Sequence, residues 1–294
     1  MNDYVIRGTA ADGQVLAFAC STTNMVEEAR QRHGLSKVAT AALGRAMSGV
    51  TMMSVGLKKP YESITLTFSG NGPLGTVVAM GDGGGRVRGY VGNPQVELPL
   101  NSKGKLDVGG AVGLGLLNVE KDLHMKEPFV GTTILATSEI AEDLAYYFTT
   151  SEQIPSAVAL GVLVHDNGQV WTAGGFIIQL LPGASDEVAQ ELQDRCTAFP
   201  QLTSYLAEGH TPEDVLEELL KGMDYIQMDK QEVRFKCFCN KQKVESALVS
   251  IGREELDQLI ADDETIEMSC HFCNEKYYFT PEELRNIRAG MDVV

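Results

Sequence analysis

The chain has 294 residues and a formal net charge of −16 at pH 7, from 40 Asp and Glu against 24 Lys and Arg. Hydrophobic residues make up 44% and charged residues 22%, which is the balance of a folded globular chain rather than a disordered one. So acidic a chain is repelled by phosphate backbones and anionic lipid, no run reaches the roughly 18 apolar residues of a membrane span, and Met1–Gly8 has no signal pattern, so the expectation is a cytoplasmic protein with neither nucleic acid nor membrane as partner.

In chain order, Tyr4–Thr9 and Val15–Ala19 flank an Ala-Asp-Gly turn and predict a hairpin. Asn24–His33 predicts a helix with Asn24 as its cap, Glu27 three residues on, and Gly34 as its stop. Ser36–Val55 is rich in Ala, Gly and Met and predicts a buried helix lying close against a sheet. Strands are predicted at Ser63–Ser69, Gly75–Met80, Val87–Val91 and Thr132–Ala136, punctuated by glycine-rich turns. A helix follows over Glu139–Phe148, starting at Ser138. Then come strands Leu160–His165 and Gln169–Ala173 around Asp166-Asn167-Gly168, and Phe176–Leu181 ending at Pro182-Gly183. Helices and strands do not alternate regularly, so the class is α+β, with residues 1–182 as the core domain.

Residues 183–230 hold eleven Asp and Glu against three Arg and Lys, a net −8 that is half the charge of the chain. Two amphipathic helices are expected in this acidic linker. Val188, Leu192, Cys196 and Phe199 share a face of the first. The second has Thr211 as N-cap, Pro212 in its first turn, Asp214 completing a box, an apolar stripe of Val215, Leu216, Leu219 and Leu220, and Gly222 as its stop. A helix of about a dozen residues is marginal alone, so it needs a surface to dock on. Residues 231–294 form a small third domain whose thin core calls for a metal or a disulfide.

That last domain carries Cys237-Phe238-Cys239 and, thirty residues on, Cys270-His271-Phe272-Cys273. Two thiolates from one tight turn and two from another build the tetrahedron that zinc prefers. A helix at Glu254–Ile260 fits between them. One Zn²⁺ per chain, held by Cys237, Cys239, Cys270 and Cys273, is therefore expected. Zinc is preferred to an iron–sulfur cluster because the Cys-x-Cys spacing is tight and no Cys-Pro signature follows. His271 lies between ligands, but four thiolates fill the shell, so it is read as facing solvent. Lys236, Lys241, Lys243 and Lys276 either offset the net −2 of such a site or are ordinary solvated lysines. Cys20 and Cys196 fall on apolar faces and read as buried, inert thiols.

These residues carry a resemblance. Phe235-Lys236-Cys237-Phe238-Cys239, Ile266-Glu267-Met268-Ser269-Cys270-His271-Phe272-Cys273 and the following Asn274-Glu275-Lys276-Tyr277-Tyr278-Phe279 resemble the 33 kDa chaperonin family, the redox-regulated bacterial heat-shock holdases. Gly174–Pro182 and the small-residue helix around Thr40–Met47 look similar too, so the likeness spans nearly the whole chain. It implies a chaperone, not an enzyme, with no ATP hydrolysis. Such a protein is quiescent when reduced and zinc-bound. Oxidation converts the ligands to disulfides Cys237–Cys239 and Cys270–Cys273, zinc leaves, tail and linker unfold, and the protein dimerises and holds unfolding clients for ATP-dependent foldase chaperones. From the amphipathic linker we expect Val188, Leu192, Leu216 and Leu220 to belong to the client surface, together with core surface they cover.

Two rivals are open at this level. A structural zinc ribbon that binds nucleic acid predicts a basic tail, yet residues 231–294 hold 8 Arg and Lys against 13 Asp and Glu. A thiol-disulfide oxidoreductase fits Cys270-x-x-Cys273 but lacks a strand-to-helix setting. The glycine-rich Gly81–Gly85 has no Gly-Lys-Ser/Thr ending and reads as a turn rather than a phosphate loop.

Overall fold

The computed structural model describes residues 2–291. It divides into two compact units, Met1–Lys236 and Cys237–Val294. In the first, β1 (Tyr4–Ala10), β2 (Val15–Ser21), α1 (Thr23–His33), α2 (Lys37–Ser54), β3 (Ser63–Gly70), β4 (Thr76–Asp82) and β5 (Arg86–Val91) are followed by α3 (Val108–Val112), β6 (Gly115–Asp122), β7 (Phe129–Ile134), α4 (Ile140–Thr150), β8 (Ser156–Val164) and β9 (Val170–Leu180). Then come α5 (Asp186–Ala198), α6 (Leu202–Ala207), α7 (Pro212–Leu219), β10 (Ile226–Glu232) and β11 (Arg234–Phe235). The second unit holds α8 (Lys241–Ser250), α9 (Arg253–Ala261), β12 (Ile266–Ser269), β13 (Lys276–Phe279) and α10 (Pro281–Gly290).

Two sheets enclose α2. One has the order β10-β1-β2-β9-β8 and the other β11-β5-β4-β3-β6-β7. The helix touches β2, β8 and β9 of the first and β3, β4 and β5 of the second. Its small side chains permit this. A Cβ on Gly44 would come within 2.7 Å of Val162 and Val26, and one on Gly89 of β5 within 2.9 Å of Leu43. Ala39, Ala41, Ala42, Leu43, Ala46 and Met47 are fully buried. The α+β class and the buried central helix therefore stand as expected.

Several local expectations change. Asn24 does not cap α1; the N-cap is Thr22, whose hydroxyl pairs with Ser48 rather than with the helix N-terminus. The capping carboxylate comes instead from Asp3, just before β1, which accepts from the N–H groups of Asn24 at 3.1 Å and Met25 at 2.6 Å. Glu27 accepts from Arg30, Gln31 and the N–H of Val170. Those donors hold its carboxyl down to about 2. Its stabilisation is therefore complete above the ordinary value of 4.5 and is lost as pH falls from there toward 2. We expect Glu27→Gln to remove about 2 kcal/mol at pH 7, allowing for solvent screening, and to flatten the acid limb of a pH–stability profile over that window.

Strand β6 has no counterpart in the sequence reading, and β7 starts three residues and ends two residues earlier than expected. The two strands expected at Gln169–Ala173 and Phe176–Leu181 are one continuous strand, β9 (Val170–Leu180), since Gly174 and Gly175 pair in register with Ser21 and Cys20. Gly81–Gly85 is the β4–β5 turn, where Asp82 accepts from the N–H groups of Gly84 and Arg86. Three helices rather than two occupy residues 183–230. The Thr211–Asp214 capping box is present.

These acidic helices lie on the open face of the first sheet. Leu192, Leu202, Val215, Leu216, Leu219, Leu220 and Met223 pack with Tyr4, Ile6, Ala17, Ala19, Phe176 and Ile178. Helix α7 is also pinned by polar contacts. Tyr4 donates its hydroxyl to Glu213 at 2.6 Å, and Lys230 of β10 reaches the same carboxylate at 2.9 Å while lying 3.8 Å above the Tyr4 ring. Among the described residues, no helix is long and apolar enough to cross a membrane.

Candidate metal centre

The second unit has little to hold it together. Its fully buried apolar side chains are Leu248, Leu256, Phe279 and Leu284, contributed by α8, α9, β13 and α10. The helices are individually well terminated: Asn240 caps α8, and Thr280 with Glu283 forms a capping box on α10. With ten residues or fewer each, they still depend on what braces them.

That brace is where the two cysteine pairs meet. Antiparallel β12 and β13 end at Ser269↔Lys276, and the chain between them turns tightly. Cys270 receives the N–H of Asn274 at 2.7 Å and donates its own to Glu275. Asn274 takes the left-handed conformation at φ 58, which this short polar residue tolerates. The turn presents Cys270 and Cys273 on one side; Cys237 and Cys239 arrive from the segment before α8. All four Sγ atoms lie within 4.8 Å of one another. Cys237 is 3.8 Å from Cys270 and Cys239 is 3.2 Å from Cys273. A tetrahedron with metal–sulfur bonds of about 2.3 Å has edges of about 3.8 Å, so the four atoms fit a single small ion.

The electrostatics point the same way. Burial pushes the Cys270 and Cys273 thiols up, and the neighbouring Cys237 adds to both shifts. Burial acts on Cys239 as well, but hydrogen bonds from the Tyr277 hydroxyl at 3.2 Å and from the other thiols bring it below its ordinary value. Four thiolates this close repel one another, and a divalent cation among them reverses that balance.

All four sequence-derived ligands come together. His271 is exposed and is not part of the cluster. Lys276 pairs with Glu267 at 2.8 Å and Lys241 with Glu283, so these two ammonium groups have carboxylate partners. Tyr277 sits inside the motif named above, yet sequence reasoning gave it no role; a tyrosine near the start of the return strand beside a ligand turn was the available signal. Cys20 is fully buried with Sγ 3.8 Å from the Ser48 carbonyl, and burial pushes its thiol far up. Cys196 is half-buried and shifted the same way. Val188, Leu192, Leu216 and Leu220 belong to the linker helices of the first unit and pack in the apolar cluster described above, with Val188 only partly buried.

Comparison with known proteins extends the picture. The family model of the Hsp33 protein matches residues 3–280. The 33 kDa chaperonin of Lachnoclostridium phytofermentans is 50% identical over 287 residues, which is 98% of each chain. That of Clostridioides difficile is 47% identical over 292 residues, 99% of this chain and 100% of its own. The crystal structure of the 33 kDa chaperonin of Thermotoga maritima matches with a TM-score of 0.94 and 39% identity, covering 100% of both chains. The family model and these relatives cover nearly the whole chain, and the chain belongs to the Hsp33 family of chaperones.

Proposed function

We propose that this chaperone is a redox-regulated, ATP-independent holdase of the cytoplasm. The ion held by Cys237, Cys239, Cys270 and Cys273 is zinc, and the reduced form is quiescent. The observation that carries the reading is the convergence of four sulfurs in a unit whose core is four buried side chains. Four-thiolate donor sets suit zinc, and bound there it supplies folding energy of about 10–16 kcal/mol. The same thiolates are the oxidisable form of cysteine.

Each disulfide forms when two thiolates give two electrons to one peroxide, which leaves as two hydroxides that take up protons to become water. The pairing Cys237–Cys239 and Cys270–Cys273 keeps each partner one or two residues from its mate, and such short tethers hold their effective concentration high once the unit loosens. Oxidation turns the four anionic thiolates into neutral disulfide sulfurs that bind zinc poorly, so zinc release and unfolding of residues 231–294 follow. The linker at 183–230 then loosens from the core at 1–182. Leu192, Leu216 and Leu220, the partly buried Val188, and the sheet face beneath them become the client surface. The oxidised form self-associates and passes clients to ATP-dependent foldases.

The decisive experiment measures zinc content and suppression of client aggregation before and after peroxide at mild heat. We expect stoichiometric zinc and no suppression when reduced, and zinc loss with full suppression when oxidised. Suppression that is unchanged after the zinc has gone overturns the switch.

A further inference from the structure

We propose that the outer face of β5 and β11 holds a short condensed inorganic phosphate, gripped by Arg86, Arg88, Arg234 and Lys236. This goes beyond the redox reading and does not depend on it. β11 runs parallel to β5, with Arg234 opposite Arg86 and Phe235 opposite Val87. The Arg234 N–H bonds the Gly85 carbonyl at 3.0 Å and the Lys236 N–H bonds the Val87 carbonyl at 2.9 Å, which brings Lys236 beside Arg88. Side chains alternate across a strand, and Val87, Val91 and Phe235 are buried on the side where α1 and α2 lie. All four cationic residues therefore share the other side. Neighbouring strands lie about 4.8 Å apart and alternate residues about 6.6 Å, so the four charges start from one small rectangle.

Like charges directly opposite one another destabilise a sheet, and the surroundings offset only part of this repulsion. Arg86 has Asp82 at 2.8 Å from its Nε and also donates to the Pro60 carbonyl. Arg88 donates to the Met80 sulfur at 2.9 Å. Arg234 and Lys236 are exposed, and among the described residues neither has an ion-pair partner. Glu232, two residues before Arg234, accepts from Asn2 at 3.2 Å. Lys58 and Lys59 stand exposed just before Pro60, and the buried Glu62 accepts from their N–H groups. Six cations thus gather around three carboxylates in a chain whose net charge is −16. Along the row Arg88, Met80, Thr65, Glu120 the next carboxylate is three strands away. That is about 14 Å, beyond the Debye length of about 8 Å at physiological salt.

The chemistry and reach of this patch select the ligand. Guanidinium forks match phosphate oxygens two at a time, and a lysine adds a compact point charge. Cations spread over two strands favour an anion with several charges in a row over a single sulfate. A long polyanion would meet the acidic remainder of the chain and lose there what it gains at the patch. A chain of two or three phosphates stays within one Debye length of the arginines and feels only the local field.

The test is titration calorimetry of inorganic triphosphate into the full reduced, zinc-loaded chain at low salt. Zinc content is followed throughout, because condensed phosphates also bind divalent metals. We expect binding that raises the melting temperature. Arg88→Gln and Arg234→Gln should each weaken it about tenfold, and the double variant about a hundredfold. Lys221→Gln, just after α7 in the linker over the first sheet, should leave it unchanged. Without ligand, Arg234→Gln should melt no lower than the parent, because it relieves the repulsion with Arg86. A lower melting temperature there marks Arg234 as a structural residue and overturns its assignment to a binding site. A parent that does not bind, binding that both variants keep, or binding that sulfate matches overturns the site. An oligonucleotide held more tightly than triphosphate by the same arginines overturns the inorganic ligand.

Discussion

Replacing Cys273 with serine is expected to unfold residues 237–291 of the reduced chain while leaving the two-sheet unit intact. Cys273 is the buried member of the sulfur cluster, 4% exposed, and its loss leaves three thiolates around a site built for four. A structural zinc contributes about 10–16 kcal/mol of apparent binding energy, comparable to the whole stability of a typical domain. The four buried side chains of this unit cannot replace it. Hydrogen exchange provides the readout. Amides of Leu248, Phe279 and Leu284 should lose protection, those of Leu66 and Val119 in the second sheet should keep it, and chelation of the parent protein should reproduce the same division. Retained protection at Phe279 after chelation would contradict the metal's structural role.

The second large effect concerns the docked linker. Leu216 is fully buried against the first sheet, so Leu216→Ala should cost about 2–5 kcal/mol. Helix α7 has eight residues and does not survive on its own capping box. The loss therefore appears as release of α7, with its amide exchange about a hundredfold faster in the reduced chain. If the covered sheet face binds clients, this variant should suppress aggregation without any oxidant. A variant with accelerated exchange and no gain of activity would show that uncovering this face is not what turns the chaperone on.

Some of this was legible in the sequence for local reasons. Metal ligands arrive in close pairs because a tight turn must present two sulfurs together, so the four cysteines were readable from spacing. The α7 start was readable because Thr211, Pro212 and Asp214 act on their own backbone. The small residues of α2 announce a buried helix close against a sheet, though the sheet on its other side appears only in the structure. What was not legible depends on tertiary neighbours. Asp3 caps α1 from 21 residues before Asn24, which no window around Asn24 reveals. β6 buries Leu117 and Val119 but exposes Leu116, so its alternation is masked by a leucine on the wrong face. β10 is exposed along almost its whole length and carries no burial pattern; its pairing with β1 defines it. Tyr277 became part of the site only when β13 aimed its hydroxyl at Cys239.

The return of the chain through β10 has one more consequence. Helices α5, α6 and α7 leave the first sheet at β9 and re-enter it at β10, which pairs with β1 from Tyr4↔Glu232 to Thr9↔Ile226. While β10 holds, the detached segment is anchored at both ends and billows as a loop instead of trailing as a tail. Closing such a loop is a unimolecular event whose entropic penalty grows only with the logarithm of its length. If the covered face binds clients as proposed, the sheet could be uncovered and covered again without the segment diffusing away, and the chain's own return would evict a captured polypeptide.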